Sequence, residues 1–319
     1  MLSFLTKRIS QGFIVIFVVI TVTFILEHFV PGGPATVALG QRANPLTIRQ
    51  FNIENGLDKS LLIQWWTYIT QIAHFHLGFS SAQSAPVWYL IKSALGHTTV
   101  LVAVAIVFQF LIAIPLGIFQ ARRRNTRIDY FTTFITFILY ATPVFLIGEF
   151  LISTFAIKLH IFPVTVATDT GAFSIFTSPR QYILPLLTLS LLGVGGLSRF
   201  QRSSMIETLT QDYIKTARAK GLPERLVLRR HALRNSMLPI ITIIGLSLPG
   251  LVGGALITES LYDIPGMGLL TLRAATNQDM PVVVGTTIIA TAMTVVGSIV
   301  ADLLYAVADP RIRIGGSGN

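Results

Sequence analysis

The chain has 319 residues, of which 52% are hydrophobic and only 12% are charged. Soluble domains carry about 25% charged residues, so this composition and a mean hydropathy of +0.68 exclude both a water-soluble globule and a disordered chain. The net charge of +10 fits either nucleic-acid binding or membrane topology, and the absence of cysteine excludes disulfides, thiol catalysis and cysteine-ligated metals.

Six stretches nearly free of charged residues are long enough to cross a membrane, which requires about 20 mostly apolar residues. In chain order they are residues 9–30, 98–120, 130–157, 181–198, 236–258 and 280–301. The first exceeds the apolar core of a signal peptide, about 7–15 residues, so we predict a retained helix. The sequence therefore predicts an all-α, polytopic membrane protein with six transmembrane helices.

Lys and Arg are concentrated in the loops that share a side with the N-terminus. These loops are residues 1–8, 121–129, 199–235 and 302–319, and the opposite loops are residues 31–97, 158–180 and 259–279. The first set carries 17 Lys and Arg in 72 residues, whereas the second carries 7 in 111. This asymmetry predicts cytoplasmic N- and C-termini by the positive-inside rule. Because topology explains the basic charge, we predict no nucleic-acid partner.

The outer segment, residues 31–97, contains a predicted helix from about residue 59 to residue 73, capped by Asp58. This helix would present Trp65, Trp66 and Tyr68, and such aromatic residues favour the membrane–water boundary. Two interpretations stay open, an anchoring cap on the membrane or a docking surface for an external partner. We divide the chain into residues 1–97, the first span with this segment, and residues 98–319, a five-helix core.

The inner segment, residues 199–235, is strongly helical up to Gly221, and Pro223 suits the first turn of a second helix. Such a corner would project a short helix into the cytoplasm, where the small side chains of Ala217 and Ala219 would let a partner approach closely. By composition alone, a basic hairpin lying on anionic lipid is an equal alternative.

The run from Asp212 to Leu222, followed by Arg230 to Asn235, resembles the cytoplasmic "EAA" loop of ABC importer permeases. It is similar in particular to the B-type permease of the oligopeptide, dipeptide and nickel transporters. Lys215, Thr216 and Ala217 occupy the Glu-Ala-Ala places, and Gly221 holds the glycine. Further stretches that resemble this family are residues 199–205, 259–268, 279–283, 302–305 and 309–313.

The resemblance implies a type I ABC importer permease fold in a bacterial or archaeal plasma membrane. A second, C-type permease would complete the pore, two ATPases would bind ATP and Mg, and an extracytoplasmic binding protein would deliver substrate. The residues that would couple to an ATPase are Asp212, Tyr213, Lys215, Thr216, Ala217, Arg218, Ala219, Lys220, Gly221 and Leu222. The expected substrates are di- or oligopeptides, and this chain itself would hold no cofactor.

Four acidic residues lie within or beside the predicted spans. Glu27, Glu259 and Asp302 are near span ends, which favours placement at a membrane boundary. Glu149 lies inside the third span, where a carboxylate either lines a pore or forms a hydrogen bond between helices. We therefore take Glu149 as the candidate substrate-contacting residue of the pore.

Other functions are compatible with parts of the sequence. Similar permeases carry nickel chelates, heme, glutathione or other small solutes. An ion-coupled secondary transporter would show inverted repeats and charged mid-span residues, which are scarce in this chain. A membrane-embedded enzyme would need a catalytic constellation, and no Ser/His/Asp set has a recognisable spacing. No Gly-Lys dipeptide occurs, so a Walker phosphate-binding loop is excluded and ATP hydrolysis must reside in partner subunits.

Overall fold

The structure of the chain is a computed structural model. It describes residues 2–29, 33–39, 44–80, 82–167, 171–237, 240, 243 and 255–308. The predicted fifth span, residues 236–258, and the family-like stretch 309–313 therefore lie largely or wholly outside the described residues.

Helices dominate the described residues. In chain order they are α1 (Leu2–Phe29), α2 (Gly33–Leu39), α3 (Pro45–Glu54), α4 (Leu61–Ala73), α5 (Val87–Arg122), α6 (Arg127–Ala141), α7 (Val144–Leu151), α8 (Ser174–Thr177), α9 (Ile183–Leu209), α10 (Asp212–Ala219), α11 (Glu224–Leu226), α12 (Leu233–Ser236), α13 (Leu256–Tyr262), α14 (Met267–Thr276) and α15 (Met280–Ala308). Tighter or wider helical turns occur at Ile152–Lys158, Pro179–Gln181 and Val227–Ala232. The strands β1 (Phe79–Ser80) and β2 (Ala85–Pro86) pair antiparallel, with Phe79 opposite Pro86 and Ser80 opposite Ala85.

Four described helices are long and apolar enough to cross a membrane, and a bent pair of helices makes a fifth span if its two parts cross together. The four are Thr6–Phe29 of α1, α5, α9 and Met280–Leu303 of α15. The prediction of an all-α polytopic protein is confirmed, with five of its six spans represented among the described residues.

The third predicted span, residues 130–157, is not one helix. It divides into α6 and α7, which meet at an angle of 105°. Pro143 lacks a backbone N–H and disfavours helical geometry in the residue before it, and Thr142 is accordingly extended, with φ −79° and ψ 127°. Hydropathy cannot register this break because apolar side chains continue on both sides of it.

The ends of the other described spans also differ from those predicted, most of all at the second and the fourth. The second was predicted from residue 98, but α5 begins at Val87 and therefore runs through the proposed division at residues 97 and 98. The fourth was predicted to end at residue 198, but α9 continues to Leu209. Hydropathy records where a helix enters and leaves lipid, whereas the backbone hydrogen bonds of a helix continue into polar sequence.

The predicted N-cap of the outer helix was wrong. Ser60, not Asp58, occupies the N-cap position, and α4 begins at Leu61. The preceding turn is instead held by Gln64, whose amide Nε2 donates hydrogen bonds to the carbonyl oxygens of Leu57, at 3.0 Å, and Lys59, at 2.7 Å.

The bundle is held together by close helix contacts. An added Cβ at Gly117 of α5 would lie 2.6 Å from the carbonyl oxygen of Ser198 in α9, so only glycine permits this approach. A second contact joins α1 to α15, where the Arg8 guanidinium lies 3.0 Å from the carboxylate of Asp302.

Glu259, which lies near the end of the fifth predicted span, is completely buried in the protein. Its Oε1 accepts a hydrogen bond from the Thr98 hydroxyl at 2.6 Å, and its Oε2 accepts from the backbone N–H of Leu269 at 3.0 Å. The carboxylate thus lies at the N-terminus of α14, where the helix dipole favours negative charge. An added Cβ at Gly266 would lie 2.4 Å from this carboxylate, which explains glycine in that turn.

Candidate functional site

The predicted coupling loop folds into a short helix, α10, that follows α9 after a break at residues 210–211. One face of α10 is anchored in the protein, because Ile214 and Ala217 are 0% and 6% exposed. They belong to a hydrophobic cluster with Ala121, Met205, Val227, Leu228 and Ala232. The cluster joins α10 to the ends of α5 and α9, so side-chain packing attaches the helix to both of them.

The opposite face of α10 is open to solvent. Eight of the ten predicted coupling residues are exposed, namely Asp212, Tyr213, Lys215, Thr216, Arg218, Ala219, Lys220 and Gly221. The two exceptions are Ala217, which is buried, and Leu222, which is half-buried and packs against the same cluster. The expectation that Ala217 would let a partner approach closely was therefore wrong, whereas Ala219 does lie on the open face.

Gly221 ends α10 in a left-handed conformation, with φ +73°. Its N–H donates to the carbonyl of Arg218 at 2.9 Å, and the N–H of Leu222 donates to the carbonyl of Ala217 at 3.3 Å. This pair of hydrogen bonds is the Schellman motif, which satisfies the last carbonyl groups of a helix and favours glycine at the left-handed position. An added Cβ would meet no atom within 4 Å, so backbone conformation alone selects glycine here.

Ion pairs hold the corner after α10. Arg218 donates two hydrogen bonds to the Glu224 carboxylate, at 2.8 and 3.1 Å. These bonds hold the pKa of the Glu224 carboxyl below its usual value, so the stabilisation from this pair is present at neutral pH and is lost as the pH falls through the lowered pKa. A second ion pair lies within α10 itself, where Lys215 contacts Asp212 at 2.9 Å on the exposed face.

A further hydrogen bond ties α10 to the helix that follows the corner. The Asn235 side-chain amide donates to the Tyr213 hydroxyl at 2.7 Å. Both residues belong to the stretches that resemble the EAA loop, so the structure brings its two separated parts together.

Two features that hold this region together were not predicted from the sequence. Ile214, which is completely buried, was not among the predicted site residues, although its apolar side chain within a polar run was a usable signal. The second is a buried ion pair beside the loop, in which Arg202 of α9 donates to both oxygens of Asp129 of α6 at 2.9 and 2.8 Å. No local pattern could indicate this pair, because its partners are 73 residues apart.

Glu149 is exposed on α7, whereas Ile147, Gly148 and Leu151 of the same helix are buried. An added Cβ at Gly148 would lie 2.5 Å from Leu261, which shows how closely this buried face packs. Glu149 forms no hydrogen bond or ion pair with any residue that the structure describes. Its side chain is thus open on the surface of the single chain.

Family models match both parts of the chain. Residues 113–314 match the model described as binding-protein-dependent transport system inner membrane component, and residues 1–102 match its N-terminal membrane component. The oligopeptide transport system permease protein AppB of Bacillus subtilis (strain 168) is 35% identical over 315 residues, 98% of this chain and 100% of that protein. The dipeptide transport system permease protein DppB of Escherichia coli (strain K12) is 32% identical over 336 residues, 98% of this chain and 99% of that protein.

Comparison with solved structures concerns the fold alone. An inward-facing structure of the MetNI methionine ABC transporter has a TM-score of 0.51 and 15% sequence identity, and the match covers 68% of this chain and 96% of that chain. This likeness agrees with the type I importer permease fold expected from the loop. By its match to the family model over residues 113–314 and its identity to full-length relatives, the chain belongs to the family of inner-membrane components of binding-protein-dependent transport systems.

Proposed function

We propose that this chain is the B-type permease of an ATP-driven importer of di- or oligopeptides. The observation that carries the proposal is the open face of α10, anchored on its other side to the ends of α5 and α9. A rigidly attached helix with a polar outer face suits transmission of motion from an ATPase to the spanning helices. The names of the relatives, an oligopeptide permease and a dipeptide permease, support peptides as the substrate class.

The remaining components follow from this proposal. A C-type permease forms the other half of the pore, and two ATPases hold ATP and Mg, one of them against α10. An extracytoplasmic binding protein delivers the peptide. The charge asymmetry of the loops supports a cytoplasmic position for both termini and for the coupling loop.

Reconstitution of the complete complex in lipid nanodiscs tests the proposal. We expect the chain to copurify with a second permease and two ATPases, and we expect ATP hydrolysis to rise when the binding protein loaded with peptide is added. Stimulation by nickel chelates, heme or glutathione but not by peptides would overturn the substrate class. Isolation as a homo-oligomer whose transport follows an ion gradient would overturn the importer assignment.

Glu149 is proposed to line the pore, where its carboxylate would meet the amino terminus of a peptide. We expect Glu149→Gln to lower peptide transport about tenfold, because a charge-assisted hydrogen bond contributes about 1.5–3 kcal/mol. The matched control is Glu54→Gln on the exposed surface of α3, which should transport normally. If the Glu149→Gln complex transports peptide at the rate of the Glu54→Gln complex, the proposal that Glu149 contacts the substrate in the pore is contradicted.

A further inference from the structure

Helix α4 carries a set of exposed apolar side chains that the transport function does not explain. Leu61, Leu62, Ile63 and Trp66 are 63%, 77%, 50% and 62% exposed on the single chain. No Asp, Glu, Lys or Arg occurs from residue 60 to residue 91. An apolar patch of this kind is unfavourable in water, so it requires a partner.

Contacts with α1 establish where α4 lies. At the start of α4, the Gln64 side-chain oxygen is 3.0 Å from Nε2 of His28, near the end of α1. One residue later, the Trp65 indole N–H donates to the Thr21 hydroxyl at 3.2 Å. Towards the end of α4, Ile72 packs with Ile20. The helix therefore begins beside the end of α1 and reaches the middle of α1.

The position of these contacts along α1 gives their depth in the hydrocarbon core of the bilayer. Residues 9–29 would span about 31 Å at about 1.5 Å per residue, which matches the roughly 30 Å hydrocarbon core of a bilayer. Thr21 then lies about 12 Å inside the core from the Phe29 end. Even if the core ended at Leu26, before Glu27, Thr21 would still lie about 8 Å inside. The Trp65 contact is therefore within the hydrocarbon region of one leaflet.

After α4, the chain returns to the end of the bundle at which α4 began. Phe75 adopts a left-handed conformation, with φ 60°, at this reversal. Leu77 then packs against the cluster that contains Ile72, and the Ser80 hydroxyl donates to the carboxylate of Asp279, directly before α15. Residues 61–80 thus enter and leave on one side, which is the path of a re-entrant segment.

Several polar side chains of this segment line a cavity. Gln64, Gln71 and His76 line a cavity of about 180 Å³ that is also lined by Glu27. Polar groups at membrane depth are tolerated where they are buried in protein or line a cavity. This arrangement leaves Leu62 and Trp66 free to face an apolar medium.

We propose that α4 is embedded in one leaflet of the bilayer and that Leu61, Leu62, Ile63 and Trp66 contact lipid acyl chains. This face continues the exposed apolar surface of α1, on which Phe13, Val18 and Leu26 are 70%, 50% and 58% exposed. A docking site for a soluble protein would be expected to have a polar rim, and the sequence from residue 60 to residue 91 supplies no charged residue for one. The segment is therefore a lipid-facing part of the permease rather than a platform for the external binding protein.

This chain contains no cysteine, so each introduced cysteine is its only labelling site when the complete transporter complex, with cysteine-free partner subunits, is reconstituted in nanodiscs. Single-cysteine variants Leu62→Cys and Trp66→Cys are compared with Phe13→Cys on α1 and Asp58→Cys before α4. Each is treated with a charged, membrane-impermeant maleimide, and each is also spin-labelled to measure collisions with oxygen and with a water-soluble nickel complex. Copurification of the partner subunits confirms that each variant is assembled.

We expect positions 62 and 66 to behave like position 13. Their reaction with the charged maleimide should be about tenfold or more slower than at position 58, with high accessibility to oxygen and low accessibility to the nickel complex, because charged reagents do not enter hydrocarbon. Reaction as fast as at position 58 would show that the face is in water. Low accessibility to both oxygen and the nickel complex would show that protein covers it, and either outcome overturns the proposal.

Discussion

Replacing Gly221 with Val is expected to reduce peptide-stimulated ATP hydrolysis of the complete complex about tenfold while leaving membrane insertion intact. A left-handed conformation costs a residue with a Cβ about 1–2 kcal/mol, and each 1.4 kcal/mol is a factor of ten in an equilibrium. Valine is branched at Cβ and tolerates positive φ especially poorly. The substitution would therefore favour a corner in which the Schellman hydrogen bonds are lost and α10 is presented incorrectly.

Gly221→Asn is the matched control, because Asn adopts the left-handed conformation more readily than other residues with a side chain. No atom lies within 4 Å of an added Cβ at this position, so the two variants differ mainly in backbone preference. We expect the Asn variant to retain most of the stimulated activity. Equal activity of the Val and Asn variants would contradict the role assigned to the left-handed turn.

Removing Arg202 is expected to cost about 2–3 kcal/mol of unfolding free energy, because Asp129 is 1% exposed and would lose its only ion-pair partner among the described residues. The cost is kept below that of a completely buried pair because Arg202 is itself 27% exposed, so water can replace part of the interaction. Denaturant titration of Arg202→Ala in mixed micelles measures this effect. Arg202→Lys should be intermediate, since lysine keeps the charge but cannot form the bidentate contact.

The exposed pair of Lys215 and Asp212 provides a matched comparison. Its side chains are 67% and 94% exposed, so Lys215→Ala should change the unfolding free energy much less than Arg202→Ala does. The Asn125 N–H, at 3.0 Å, and the Thr133 hydroxyl, at 3.4 Å, also donate to Asp129, so the carboxylate keeps two hydrogen bonds in the Arg202→Ala variant. Equal stabilities of Arg202→Ala and Lys215→Ala would show that the buried pair does not support the contact between α6 and α9.

Much of the candidate site could be predicted from its sequence. The end of α10 at Gly221 and the new helix after Pro223 depend on backbone preferences of single residues, which act locally. The side of α10 that faces the partner could not be predicted in the same way. Ala217 and Ala219 are chemically identical, and only the packing of Met205 and Val227 decides that the first is buried and the second exposed.

The sequence by itself determined that this chain is a helical membrane protein and which of its loops is basic and projects a short helix. Those properties follow from hydropathy and charge, which are sums over neighbouring residues and need no knowledge of distant contacts. Tertiary structure decided the burial of Glu259, the pairing of Asp129 with Arg202 and the packing of α4 beside α1. Each depends on groups that are far apart in the chain, and local composition carries no information about such contacts.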